Sequence, residues 1–150
     1  MSARPLVLAS FVLLLAVTVA AHEDAPSVPK HIQRLKSYDA KERSRAARAL
    51  MILGPRAQGA IGALTEALGD KSPSVRFTAA QALGSIGPPA IGAVDALAAA
   101  LEDEKAAVRW NAAAALAKIK PVGGTVVYAL TKALKDDNIQ VRRYAADALG

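Results

Sequence analysis

Three aspartates stand at one fixed distance from three arginines: Asp70, Asp103 and Asp136 each lie six residues before Arg76, Arg109 and Arg142. A carboxylate and a guanidinium at constant spacing support two kinds of chemistry. In one, the arginines form a basic stripe for an acidic ligand, because the planar guanidinium fork matches carboxylates and phosphates. In the other, each aspartate accepts hydrogen bonds near a helix start while the arginine links adjacent units of the chain. An earlier copy of the pattern keeps Arg43 but has Ser37 where the aspartate would stand.

The residue types that usually carry catalysis are sparse. There is no cysteine, which excludes a disulfide framework, a cysteine-ligated zinc site and a c-type haem attachment. The two histidines are His22, followed by Glu23, and His31, which has no partner by spacing. No Ser/His/Asp arrangement or pair of glutamates shows a spacing signal, so no catalytic residue, metal site or cofactor is expected. The net charge of +6 and pI of about 9.8 are compatible with an acidic partner, but with no block of five or more like charges they read first as a soluble surface that avoids self-association. Aromatic residues are only 4% of the chain, too few to interleave with bases, which argues against nucleic acid.

The elements that must position these side chains recur at the interval that separates Asp70 from Asp103 and Asp103 from Asp136, a period of thirty-three. Val75-Arg76 becomes Val108-Arg109 and then Val141-Arg142; Leu83 becomes Leu116 and Leu149; Leu97 and Leu101 become Leu130 and Leu134. Moving the other way gives Arg43, Leu50, Leu64 and Leu68. A fixed period in this range marks a solenoid, in which each unit buries its apolar face against its neighbours. Within a unit the apolar spacing is helical: Val75, Ala79, Leu83 and Ile86 share one face, as do Val94, Leu97 and Leu101. The predicted first helices span 40–53, 73–86 and 106–119, and the second helices 57–68, 89–101 and 124–134. Ser72 reads as an N-cap before Pro73, while Gly54-Pro55, Gly87-Pro88 and Lys120-Pro121 end the first helices.

The two ends of the chain depart from this period. Arg4 precedes an uncharged run over 6–21 that closes on Val19-Ala20-Ala21, the pattern of a secretory signal peptide over 1–21. The competing reading is an uncleaved anchor, in which case the protein stays at a membrane; the run is short of the roughly 20 residues that span a bilayer. Residues 22–29 read as a linker and 30–37 as a capping helix, with His31 where the units have Leu64, Leu97 and Leu130 and hence a more polar outer face. Repeats follow over 38–69, 70–102 and 103–135, then a partial repeat over 136–150. Either further chain covers the apolar face of Val141, Ala145 and Leu149, or that open end pairs with another molecule, including by self-association.

The unit D-x4-V-R-x3-A-x2-A-L-G-x-I-G-P, with a second helix ending A-L-x3-L, resembles the HEAT-like repeats, particularly the short type named after phycobilisome lyase subunits. The resemblance covers roughly residues 28–150 and implies an all-α fold, an α-solenoid of HEAT-like helix pairs. In such families an Asp–Arg pair is similar to an inter-repeat ladder, which favours the structural role for Asp70, Arg76, Asp103, Arg109, Asp136 and Arg142. Second helices usually line the concave face there, which leaves positions 59, 62, 66, then 92, 95, 99, then 125, 128, 132 facing outward. These vary while the framework repeats, so Glu66, Asp95, Thr125, Tyr128 and Lys132 are the candidate partner-binding residues, with Tyr128 the best single anchor. Trp110 and Phe77, at equivalent positions of the first helices, are expected to pack between repeats. One HEAT-like enzyme family, deoxyhypusine hydroxylase, holds iron with His-Glu pairs, but here the comparable helix positions carry Ala, Arg, Thr, Gln and Asn.

These readings point to an exported, non-catalytic scaffold for a protein or peptide partner. The alternatives are an accessory subunit similar to the phycobilin lyases, or one segment of a larger extracytoplasmic enzyme. Intact-mass measurement of the native protein from the extracytoplasmic fraction tests export: the expected amino terminus is Ala21 or His22. Retention of Met1 to Ala21 would replace the cleaved signal with a membrane anchor.

Overall fold

The computed structural model describes residues 27–150, and all regular structure among them is helical. The signal segment 1–21 and residues 22–26 of the linker lie outside the described residues. Helix α1 (Val28–Arg34) precedes three helix pairs and a final helix: α2 (Ala40–Leu53) with α3 (Ile61–Ala67), α4 (Pro73–Ile86) with α5 (Val94–Ala100), α6 (Ala106–Ile119) with α7 (Gly124–Ala133), and α8 (Ile139–Leu149). Helices α2, α4, α6 and α8 pack side by side in one layer, and the shorter α3, α5 and α7 lie against them in a second. None of the described helices is long and apolar enough to cross a membrane.

The core runs along the seam between the two layers. Leu50, Leu83 and Leu116 fill it from the first helices and Leu64, Leu97 and Leu130 from the second, all of them fully buried. Each contributes roughly 1.5 to 3 kcal/mol by leaving water. Alanines such as Ala79, Ala80, Ala112 and Ala113 are also fully buried, which lets neighbouring helices of the first layer approach closely. The approach is tightest at Gly84, where an added Cβ would stand 2.9 Å from the Cα of Ala115. Any side chain at that position forces α4 and α6 apart.

The second helices are shorter than their apolar spacing suggests. In the first two repeats the chain enters them through 3-10 segments, Gly54–Ala60 and Pro88–Ala93, and the α-helix begins only at Ile61 and Val94. Each 3-10 segment is itself kinked, at Ala57 (φ −90°, ψ 16°) in the first and at Ala90 (φ −79°, ψ 19°) in the second. The corner before each segment is a glycine at positive φ, Gly54 at 54° and Gly87 at 78°, with ψ values of −129° and −146° that only glycine adopts comfortably. The third repeat has Lys120 at this corner, and it takes the left-handed helical conformation instead (φ 54°, ψ 56°). The path through Pro121 and Val122 is correspondingly different: there is no 3-10 segment, and α7 runs unbroken from Gly124 to Ala133.

At the amino-terminal end, α1 begins at Val28 with Pro29 in its first turn, so the last two residues of the expected linker are helical. The helix gives way to a turn in which Lys36 and Ser37 donate to the carbonyls of Gln33 and Arg34. Ser72 occupies the N-cap backbone position of α4, yet its hydroxyl meets that of Ser74 at 3.0 Å and caps nothing.

His31 corrects the expectation of a polar outer face. It is only 6% exposed and occupies the core position that Leu64, Leu97 and Leu130 hold in the other repeats. Neither ring nitrogen has a hydrogen-bond partner. Burial, then the positive charges of Arg34 and Lys30, lower its pKa below the usual 6.5, so the ring is held neutral. Protons therefore bind the unfolded chain more readily, and stability falls as pH drops below 6.5, levelling off only beneath the lowered folded value. His31→Leu is expected to stabilise the protein by about 1 to 3 kcal/mol, by removing two unsatisfied polar atoms. It should also flatten the thermal midpoint between pH 7 and 5; an unchanged pH slope in thermal melts would refute the assignment.

Candidate functional site

The aspartates and arginines form a continuous ladder across the repeats, in which Arg43, Arg76 and Arg109 each read two repeats at once. The Nη1 of each arginine, Arg142 included, donates to the backbone carbonyl six residues earlier: Arg43 to Ser37 (2.8 Å), Arg76 to Asp70 (2.9 Å), Arg109 to Asp103 (3.0 Å) and Arg142 to Asp136 (2.8 Å). In the first three, Nε and Nη2 then grip the aspartate of the next repeat in a two-bond fork. Arg43 holds Asp70 at 2.6 and 2.8 Å, Arg76 holds Asp103 at 2.7 and 3.0 Å, and Arg109 holds Asp136 at 2.7 and 2.9 Å. The paired side chains are mostly buried, so solvent screens these forks less than ordinary surface pairs.

Each aspartate has a second task. One oxygen accepts from the backbone N–H two residues on, at Ser72, Lys105 and Asn138, all at 2.8 Å, and this turns the chain into the following helix. Ser37 does the same through its hydroxyl, which accepts from the Asp39 N–H at 3.2 Å. Its carbonyl is the part Arg43 uses, so the serine fulfils both local duties and lacks only the carboxylate an earlier arginine would grip.

The ladder thus engages Asp70, Arg76, Asp103, Arg109 and Asp136 as inter-repeat rungs, and Arg142 through its local bonds alone. The arginine forks hold the carboxyls of Asp70 and Asp136 below the usual range, that of Asp136 at about 2. Asp103 is also lowered: burial opposes ionisation there, but the Arg76 fork and the Lys105 N–H outweigh it.

The five outward residues are exposed, and shallow hollows divide them into groups. Asp95 and Thr125 line one hollow of about 270 Å³ between α5 and the start of α7. Tyr128 and Lys132 line another of about 250 Å³ with Lys135. Glu66 on α3 borders neither. Tyr128 is 75% exposed, with its ring available for contact. Lys132 also reaches Glu102 at 2.9 Å, an exposed pair that spans two repeats and raises the lysine pKa. A larger hollow of about 470 Å³ lies where this pair meets the last rung, lined by Leu101, Asp103, Arg109 and Asp136.

On the opposite layer, Trp110 stacks on Tyr144 of the next repeat with ring centroids 5.9 Å apart, and Arg143 lies over the Tyr144 ring at 5.8 Å. Phe77 and Trp110 are half-buried against the core. The period aligns Trp110 with Arg143, one residue short of Tyr144, so this stack escapes a reading in strict register. Among the described residues no group of three or more His, Asp or Glu side chains gathers as a metal site would require.

The family described as HEAT repeats matches residues 28–92 and 90–150. No curated protein matches the chain. Among solved structures, an engineered protein from the Northeast Structural Genomics Consortium is similar at 27% identity and a TM-score of 0.72, covering 87% of this chain. The chain spans 64% of that protein, a little under two thirds of its length. A designed armadillo repeat protein in complex with the peptide (KR)4 aligns at 22% identity and a TM-score of 0.70, over 84% of this chain and 64% of its own. The complex of CpcE and CpcF of phycocyanin lyase from Nostoc sp. PCC7120 aligns at 22% identity and a TM-score of 0.69, over 94% of this chain and 91% of the matched one.

The ladder makes acid a specific threat. Asp136 is ionised in the folded state down to about pH 2, whereas its unfolded value is near 3.8. Its contribution is therefore complete above pH 3.8 and is lost as pH falls toward 2. Allowing for solvent screening, that rung contributes about 1 kcal/mol by this route. Asp136→Asn should lower the thermal midpoint at pH 6 and narrow the gap to the wild-type protein by pH 2. Parallel melting curves with a constant gap would show that the fork does not depend on charge.

Proposed function

The chain belongs to the HEAT-repeat family, and from that premise we propose that it is an exported, non-catalytic scaffold that holds a protein or peptide segment on its second-helix face. The observation that carries this reading is the contrast between frame and surface. Leucines, ladder pairs and most corner residues recur from one repeat to the next, while the outward positions of α3, α5 and α7 change from Gly59, Gly62 and Glu66 to Gly92, Asp95 and Ala99 to Thr125, Tyr128 and Lys132. Selection for folding alone requires the frame. A run of distinct, exposed side chains along a rigid support is what a sequence-selective groove requires.

The chemistry of this face favours a partner segment with mixed polarity. Glu66, Asp95 and Glu102 offer carboxylates, Lys132 and Lys135 offer ammonium groups, and Tyr128 offers an aromatic ring with a hydroxyl. The binding of a peptide by a designed repeat protein of similar fold supports the same use here. Export rests on Arg4, the apolar run over 6–21 and the small residues Val19-Ala20-Ala21.

Panning a random peptide library displayed on phage against the whole protein tests the groove. Enriched peptides are expected to lose about 20- to 30-fold in affinity for Tyr128→Ala, the loss of an aromatic hot spot of about 2 kcal/mol. Asp95→Ala should weaken them less. Absence of enrichment, or peptides indifferent to both substitutions, would remove this face from consideration.

A further inference from the structure

We propose that the first-helix layer carries a site, between α4 and α6, for a small planar heteroaromatic acid that bears a ring N–H. The site is a hollow of about 230 Å³ on the layer opposite the second helices. Its two principal helices each pack between two other first helices, so the hollow is interior to the array. Met51 reaches it from α2 and Tyr144 from α8, and the remaining lining comes from α4 and α6. The close approach of Gly84 to Ala115 shuts its floor. Ala114 leaves it open above, at a position that carries Gln81 one repeat earlier and Arg48 one before that.

Asn111 shows what the hollow lacks. Its side chain is only 2% exposed, and Nδ2 donates to the Ala107 carbonyl at 2.7 Å, which fixes the orientation of the amide. Oδ1 accepts from no group among the described residues, yet it is not sealed off as the two His31 nitrogens are. Because Asn111 borders the hollow, this acceptor opens into it. The equivalent residue one repeat earlier is satisfied within the chain: the Thr78 hydroxyl donates to the Ser74 carbonyl at 2.7 Å and meets the Ser44 hydroxyl at 3.5 Å. A nearly buried acceptor without a donor is costly, so the hollow calls for an N–H or O–H.

Three further features define the rest of the ligand. Trp110, half-buried and stacked on Tyr144, gives the hollow an aromatic wall against which a flat ring packs favourably. Lys118 stands exposed at the rim and, among the described residues, is the only charged side chain of the lining. An anionic substituent is therefore attracted, with no carboxylate to repel it. The volume falls below the roughly 300–1,000 Å³ of sites for drug-sized ligands, which limits the occupant to one or two fused rings with a short acidic arm. The ring N–H is directed to Asn111, the ring to Trp110 and the carboxylate to Lys118.

The probe is indole-3-acetate, which has all three features, titrated into the whole isotope-labelled protein. Trp110 is the single tryptophan of the chain, so its ring N–H gives one cross-peak in a proton–nitrogen correlation spectrum, and the unlabelled probe gives none. That peak is expected to move saturably. Skatole, without the acid, and 1-naphthylacetate, without the N–H, should each bind at least about fivefold more weakly, the loss of one polar contact. The protein variants borrow residues that the same positions carry one repeat earlier, which keeps the frame intact. Asn111→Thr removes the acceptor and Lys118→Ser the charge, and each should weaken the probe by a similar factor. Ala114→Gln fills the hollow and should abolish the shift while the melting curve is retained. Tyr128→Ala, on the other layer, should leave binding unchanged. Absence of a saturable shift would overturn the proposal and leave Asn111 to water. Binding indifferent to Asn111→Thr or to Ala114→Gln would also overturn it, because the probe would then sit elsewhere.

Discussion

The structure depends on one repeated contact, an arginine that is fixed at one end by its own repeat and grips the next repeat with the other. A lone surface ion pair is worth little, because long side chains lose freedom in forming it and water screens the charges. Here the backbone carbonyl at position i−6 has already taken up Nη1, so the guanidinium is oriented before the carboxylate arrives. The aspartate is likewise oriented by the N–H two residues on. Two preorganised halves meet, and the contact sets the rotation between successive units as well as their separation. The leucine seam contributes most of the stabilisation; by itself it would tolerate sliding that the forks do not.

How much of this was legible in the sequence varies with the physical scale involved. The period, the helical faces and the solenoid follow from apolar spacing, which registers burial directly. The constant interval between Asp and Arg signals a pair, but spacing within one repeat cannot show that the arginine grips the aspartate of the following repeat and uses only the carbonyl of the one behind. Ser37 looks like a lapse in the pattern until that division of labour is seen. The 3-10 entries at Pro88–Ala93 and Gly54–Ala60 were hidden because helical periodicity does not distinguish the two helix types over so short a stretch. His31 shows the opposite error: a polar residue type suggested a polar environment, while the register with Leu64 pointed to the core. The outward positions of α3, α5 and α7 could be located from register alone, although their division into separate hollows depends on the third corner.

That corner illustrates how a local departure propagates. With Lys120 in place of glycine the backbone takes a left-handed helical turn, the short 3-10 entry is absent, and α7 begins sooner after the corner and runs longer. Tyr128 and Lys132 therefore project from a helix built differently from α3 and α5. The variable face gains a distinct element from changes at one corner, Lys120, Gly123 and Gly124 among them, without any alteration of the ladder beneath it.

The ladder also governs how such a chain can change over evolutionary time. Every rung joins an arginine to the aspartate at the same separation along the chain, and every repeat presents the same two ends to its neighbours. Excising one whole unit would therefore bring Arg43 to Asp103 just as it now meets Asp70. Duplication of a unit is equally silent. An insertion or deletion of any other size within a helix shifts the aspartate off its arginine and rotates the leucines out of the seam together. Descendants of this gene should therefore differ in length by whole repeats, with irregular gains confined to the corners, and the recognition face would lengthen or shorten in the same quanta.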